Sequence, residues 1–241
     1  MRKELETLQD WINESCRIVF FGGAGVSTES GIPDFRSVDG LYNQKYAYPP
    51  EQILSRTFFD RNPEEFYRFY RDKMLCPHAK PNAAHNKLAE LEAKGKLRSI
   101  VTQNIDGLHT LAGSKRVWEL HGSVYRNYCM SCARPYDTDR IAKSAGVPRC
   151  SCGGIIKPDV VLYEESLDDY VLEQALEDIQ NADMLIIGGT SLAVYPAAGL
   201  VRYYRGNRLV LINKSVTPYD EHADLILRDA IGAVLGQIKI G

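Results

Sequence analysis

Four cysteines stand in two close pairs, Cys129-Met-Ser-Cys132 and Cys150-Ser-Cys152, with 17 residues between the pairs. Two turns can gather thiolates at that spacing around one tetrahedral zinc, and four sulfurs leave no open position for water or substrate. The metal is therefore expected to be structural. Gly153-Gly154, directly after the second pair, allows the tight turn such a site needs. The plainer alternative is four reduced cysteines without metal, and the pairing weighs against it. Cys16 and Cys76 stand apart from this group.

A second kind of chemistry is suggested by Gly22-Gly-Ala-Gly-Val-Ser27, which follows an apolar run. Glycines there let a backbone approach a pyrophosphate, and a helix starting just after would add free N–H groups and the positive end of its dipole. On its own such a turn is weak evidence. A dehydrogenase would carry an acidic residue about 20 positions on, at the end of a second strand. Here that stretch is LYNQKYAYPPEQILSR (41–56), which has no strand-like run and contains Pro49 and Pro50. The turn leads instead into Ser30-Gly-Ile-Pro-Asp-Phe-Arg36, a loop suited to closing over a ligand.

Two more polar segments follow apolar runs. Thr102-Gln-Asn-Ile-Asp-Gly-Leu-His109 presents Gln103, Asn104 and Asp106 together, and Leu120-His121-Gly122 follows Val117-Trp118. Such a cluster also serves to cap a helix, and a lone histidine is more often structural than catalytic. Physical reasoning alone leaves His121 and His109 evenly matched as a base.

The elements that must position these groups are legible as an alternation. Apolar runs at 18–21, 99–102, 184–187, 209–212 and 224–227 read as strands buried on both faces. Helical patterns lie at 5–12, 85–94 and 168–181. The expected fold is α/β, a Rossmann-like parallel sheet with helices on both faces. Two stretches interrupt the alternation: the aromatic-rich, partly helical Asp34–Ala79 and the cysteine-bearing Arg126–Lys157. They are expected to pack together as a smaller lobe. The large lobe then takes about 1–33, 80–125 and 158–241, and the small lobe about 34–79 (helical) and 126–157 (zinc-binding).

The 241 residues are 44% hydrophobic and 25% charged, with a formal net charge of −2. No global field attracts nucleic acid, so any anionic ligand must be held locally. MRKELETLQDWINESC lacks the basic-then-apolar order of a secretion signal, and no apolar run is long enough for a membrane span. A cytoplasmic protein is expected.

The succession GAGVSTESGIPDFR (23–36), TQNIDGLH (102–109), ELHGS (119–123), the four cysteines, GGTSLAVYPA (188–197) and INKS (212–215) resembles the sirtuins, NAD-dependent protein deacylases. The resemblance implies a lysine deacetylase that transfers acetyl to ADP-ribose and releases nicotinamide, itself an inhibitor. It implies NAD as co-substrate, one structural zinc on Cys129, Cys132, Cys150 and Cys152, and acetylated protein or peptide partners. Ala24, Gly25, Ser27 and Thr28 would surround the phosphates, with Arg36 on the loop and Phe35 shielding the site. Gly189, Thr190, Ser191 and Asn213 would hold the adenosine half, with Ile231 nearby. Gln103 and Asn104 would meet the nicotinamide-side ribose, and Ile105 and Asp106 the nicotinamide amide. His121 would be the base. The peptide would add as a strand between Pro158–Tyr163 and Ser191–Tyr195, touching Val160, Val161, Leu162 and Val194.

The chain departs from the family where many relatives carry F-F-G-E, having Leu162-Tyr163-Glu164-Glu165 instead. Sirtuins that take acidic acyl groups carry a tyrosine and, three positions later, an arginine; the aligned residues here are Tyr67 and Tyr70. Arg68 and Arg71 are expected to point elsewhere on the helix. The alternatives are an ADP-ribosyltransferase using the same NAD site, and a non-catalytic NAD-sensing or zinc-ribbon module.

Overall fold

Ile18-Val-Phe-Phe is apolar on both faces, and in a computed structural model describing residues 2–35, 40–41 and 46–240 it forms β1 (Ile18–Gly22), buried throughout. The strands that follow are β2 (Leu97–Thr102), β3 (Val117–Glu119), β4 (Gly122–Cys129), β5 (Pro135–Tyr136), β6 (Ile156–Val160), β7 (Met184–Gly188), β8 (Leu209–Ile212) and β9 (Leu225–Leu227). Six make one sheet in the order β3-β2-β1-β7-β8-β9, every neighbouring pair parallel. The order reverses between β1 and β7, and a crevice opens beyond the strand ends at such a point. The remaining three form a small antiparallel sheet, β5-β4-β6.

The helices are α1 (Arg2–Glu14), α2 (Pro50–Ile53), α3 (Arg56–Arg61), α4 (Pro63–Phe69), α5 (Ala83–Ala93), α6 (Leu108–Leu111), α7 (Thr138–Ala142), α8 (Asp169–Gln180) and α9 (Ile231–Leu235). Strand side chains alternate faces. Ile18, Phe20, Ile100 and Ile186 pack with Leu8 and Ile12 of α1, Leu88 and Leu91 of α5 and Val234 of α9. Val19, Phe21, Val101 and Ile187 pack on the other face with Ala175 and Ile179 of α8. Helices thus cover both faces, as the doubly apolar runs require.

The two interrupting stretches share a third core. Ile53, Phe58, Phe59, Phe66, Tyr67 and Tyr70 from the helical insertion pack with Val124, Ile141, Ile156, Val160 and Leu162. No helix among the described residues is long and apolar enough to cross a membrane.

One local expectation fails. No α-helix starts after the glycine turn; two short 3-10 turns, Ala24–Val26 and Thr28–Ser30, stand there. Gly31 at φ 82 donates its N–H to Thr28 and ends the second turn, and Pro33 follows. Without an extended helix, the turn offers an anion no macrodipole.

The edge strand β3 is tied down by one carboxylate. Asp178 of α8, only 3% exposed, accepts from Arg98 Nε (3.1 Å), Arg116 Nε (2.9 Å) and Trp118 Nε1 (2.8 Å). Burial alone would raise its pKa, but the Trp118, Arg116 and other donors hold it below the ordinary aspartate value. Asp178→Ala leaves two part-exposed guanidinium groups without their anion, and is expected to cost about 3 kcal/mol. A fall in melting temperature of roughly 6–12 °C should follow for a chain of this size. A variant melting with the parent would remove Asp178 as an anchor.

Candidate functional site

The crevice is built from two interlocked glycine loops. Gly25 N–H donates to the Gly189 carbonyl at 2.8 Å, and a Cβ on Gly25 would fall 2.8 Å from that same oxygen. Gly189 sits at φ 59, so both positions need glycine. Ile231 lies against Gly188. Ala24, Gly25, Gly189, Thr190 and Ile231 are therefore brought together at the strand ends. Thr28 turns its hydroxyl onto the Gly25 carbonyl (3.0 Å), while Ser191 is exposed beyond Thr190. Asn213 follows β8, with its amide on the Ser215 carbonyl at 2.9 Å.

Side chains carry the connection across three strands. Gln103 Nε2 donates to Thr190 Oγ1 (3.1 Å), and Asn104 Nδ2 donates to Ser27 Oγ (3.1 Å). Ser27 Oγ in turn donates to Asp106 Oδ2 (2.6 Å). Asp106 Oδ1 accepts the Leu108 N–H (2.9 Å), so the capping role and the site role are both present in one carboxylate. Ile105 and Phe35 pack against the third core. Arg36 lies outside the described residues.

Geometry separates the two histidines. His109 is 2% exposed, between Phe20 and His85, and burial pushes its pKa down to about 3, with His85 adding to the effect. It remains neutral, beyond the reach of a substrate proton. His121 stands part-buried just after β3, with Nδ1 2.9 Å from the Gln103 carbonyl at the end of β2. A carbonyl only accepts, so Nδ1 carries the hydrogen and Nε2 presents its lone pair. Burial lowers the His121 pKa and the Gln103 carbonyl partly offsets this. The imidazole is thus a neutral acceptor at physiological pH.

The segment beside His121 is fixed from both sides. Val161 N–H donates to the His121 carbonyl (3.0 Å), and Gly122, at φ 74, pairs so closely with β6 that a Cβ would lie 1.9 Å from the Asp159 carbonyl. Glu165 holds the outer end, accepting from Leu162 N–H (2.8 Å), Lys157 Nζ (3.1 Å) and Arg56 (3.1 Å). This clamp escapes sequence reasoning, because it joins residues 109 positions apart. Val160 and Leu162 are buried, Val161 and Val194 half-buried.

The cysteines lie apart, at one end of the small sheet. Cys129–Cys152, Cys132–Cys150 and Cys132–Cys152 have Sγ separations of 3.5, 3.6 and 3.5 Å, and all four sulfurs lie within 4.8 Å of one another. Zinc–sulfur bonds of about 2.3 Å put tetrahedral sulfurs about 3.8 Å apart, so the set fits zinc. Gly154 allows the closure: a Cβ there would come 2.8 Å from Cys129 Sγ. Gly153 takes φ 88 in the turn.

Residues 23–196 match the family model described as Sir2 family. An NAD-dependent protein deacetylase of Clostridium perfringens is 61% identical, with 99% of each chain covered, and one of Clostridium acetobutylicum is 60% identical, with 96% of each covered. A solved Sir2 variant with deacetylated p53 peptide and 3′-O-acetyl ADP ribose is 41% identical. Its TM-score is 0.88, over 96% of this chain and 95% of that one. Since the likeness runs through both interrupting stretches as well as the sheet, the chain belongs to the Sir2 family, the sirtuins.

Proposed function

We propose that this chain is an NAD-dependent protein lysine deacetylase, moving acetyl from lysine to ADP-ribose with release of nicotinamide. The observation that carries the reading is the His121 ring, held through Nδ1–H on the Gln103 carbonyl, which leaves Nε2 as the unprotonated nitrogen. NAD supplies the leaving nicotinamide and the ribose that receives the acetyl group. The glycine loops, Ser27, Thr28 and Arg36 would hold its phosphates. Gly189, Thr190, Ser191, Asn213 and Ile231 would hold its adenosine half. Gln103 and Asn104 would orient the other ribose, and Ile105 and Asp106 the amide, with Phe35 over them. His121 Nε2 takes the proton of the ribose hydroxyl that must add to the acyl carbon. Val160, Val161, Leu162 and Val194 would line the bound peptide. The cysteine site keeps four sulfur ligands, so its zinc stabilises the small lobe and takes no part in bond making.

The large lobe (about 1–33, 80–125 and 158–241) and small lobe (about 34–79 and 126–157) are part of this proposal, as are a cytoplasmic location, inhibition by nicotinamide and the absence of a nucleic-acid partner. The deciding experiment is nicotinamide release with and without acetyl-lysine peptide. Dependence on the peptide, with deacetylated product, supports the reading. Release without it, with label on protein, would make the chain an ADP-ribosyltransferase, and no turnover would leave an NAD sensor.

The acyl preference follows from what surrounds Tyr67 and Tyr70. Tyr67 donates its hydroxyl to the Ile156 carbonyl, and Tyr70 is fully buried. Arg71 lies over the Tyr67 ring (5.7 Å) and donates to the Ile141 and Gly146 carbonyls, and Arg68 pairs with Glu65. Neither guanidinium is thereby left free for an acyl carboxylate. Acetyl-lysine peptide is expected to exceed succinyl-lysine peptide in kcat/KM by roughly 100-fold or more, with Tyr70→Arg narrowing the gap. Equal efficiencies in the parent would end this account.

A further inference from the structure

Beyond Tyr195, at the end of the Ser191–Tyr195 wall, a guanidinium is held in place by neutral groups alone. Arg202 Nε donates to the Tyr219 hydroxyl (3.3 Å) and its NH2 to the Tyr195 hydroxyl (3.1 Å). Its central carbon lies 5.7 Å from the centre of the Tyr195 ring, and that ring rests on Gly199 within the same 3-10 segment, Ala197–Tyr203. A guanidinium has five N–H donors, so two phenols leave most of the fork turned to solvent. Among the described residues no carboxylate pairs with it, and Tyr195 is 58% exposed.

The cations around the Pro158–Tyr163 segment differ. Arg56 and Lys157 are answered by Glu165, and Arg126 by Glu119 and Asp159. These three cations are neutralised within the protein, whereas Arg202 is preorganised and uncompensated. Two phenols fix the fork without cancelling its charge. A planar, oriented guanidinium is the group best matched to a carboxylate.

We propose that Arg202 is a specificity-determining residue that reads an acidic side chain of the substrate, flanking the acetyl-lysine on the Tyr195 side of the peptide groove. This rests on the deacetylase reading above. The contact is exposed, so it favours capture of the peptide and its preference weakens with salt, while the chemical step is untouched.

The test scans glutamate, alanine and lysine through the three positions on each side of acetyl-lysine in one peptide, measuring KM and kcat separately. In the parent, glutamate at one or two positions is expected to lower KM roughly 2–5-fold relative to alanine, with lysine raising it and kcat unchanged. Arg202→Gln should flatten this preference and Arg202→Glu reverse it, both at parent kcat. Tyr195→Phe, which releases the fork and keeps the ring, should weaken it partially. Raising salt to roughly 0.5 M should level the parent's preference. A parent that deacetylates all peptides with the same KM, or Arg202→Glu that still favours glutamate, overturns the inference and leaves the deacetylase reading standing. A parent that deacetylates none of them overturns both.

Discussion

Replacing His121 with alanine is expected to lower deacetylated product roughly 10²–10⁴-fold while NAD binding and acetyl-peptide-dependent nicotinamide exchange fall far less. The separation follows from when the base is needed: nicotinamide has already left before the ribose hydroxyl must give up its proton. The structure adds a pH dependence. Burial holds the His121 pKa below the ordinary imidazole value of 6.5, and a ring that serves as the base must be neutral with Nε2 unprotonated. The acid limb of kcat/KM should therefore lie below pH 6.5, and activity should be level from there through neutrality. His109→Gln is the control. That ring is buried between Phe20 and His85, so its loss should lower stability and leave the ratio of deacetylation to exchange unchanged. Parent-rate deacetylation by His121→Ala, or selective failure of the His109 variant, would remove His121 as the base.

The contest between these two histidines also marks what was legible beforehand. Strand runs such as Ile18–Phe21 and Leu209–Ile212 are apolar at every position, and both form where that pattern puts them. The cysteine spacing likewise predicts a cluster, and the four sulfurs lie within 4.8 Å of one another. Local pattern sufficed for these because each depends on neighbours in sequence. Burial of a polar ring does not. Both histidines stand near the end of an apolar run, and what distinguishes them is distant: His109 is packed by Phe20, 89 positions away, and by His85, while His121 is held on the Gln103 carbonyl. The glycine loop taught the opposite lesson. Its composition suggests a helix start, yet the first turn stops at Ser27 and the second at Gly31, with Pro33 following, and what holds the loop is the distant Gly189 carbonyl. Glu165 was invisible for the same reason, since its partners Arg56 and Lys157 converge only in the folded chain.

Cys129→Ala is expected to abolish stoichiometric zinc and destabilise the small lobe by several kcal/mol, in line with the roughly 10–16 kcal/mol by which structural zinc folds isolated fingers. The smaller figure reflects the apolar core that this lobe retains without metal. Phe59, Phe66 and Tyr67 pack edge to face with one another there. Activity should nevertheless fall with the metal, by a route the backbone defines. Cys129 ends β4, the strand that begins at Gly122, and β6 pairs along it before Val161 donates its N–H to the His121 carbonyl. Loosening the cysteine end of this sheet therefore loosens the support of the base and of the peptide wall together. NAD affinity, which on the proposed reading draws on loops of the six-stranded sheet, should change less than deacetylation. Elemental analysis, melting curves and NAD titration on parent, chelator-treated parent and Cys129→Ala separate these outcomes. Freshly purified protein that deacetylates with no zinc bound would refute the structural role of the metal. Loss of NAD binding in step with activity would show that zinc supports the whole chain and not the small lobe alone.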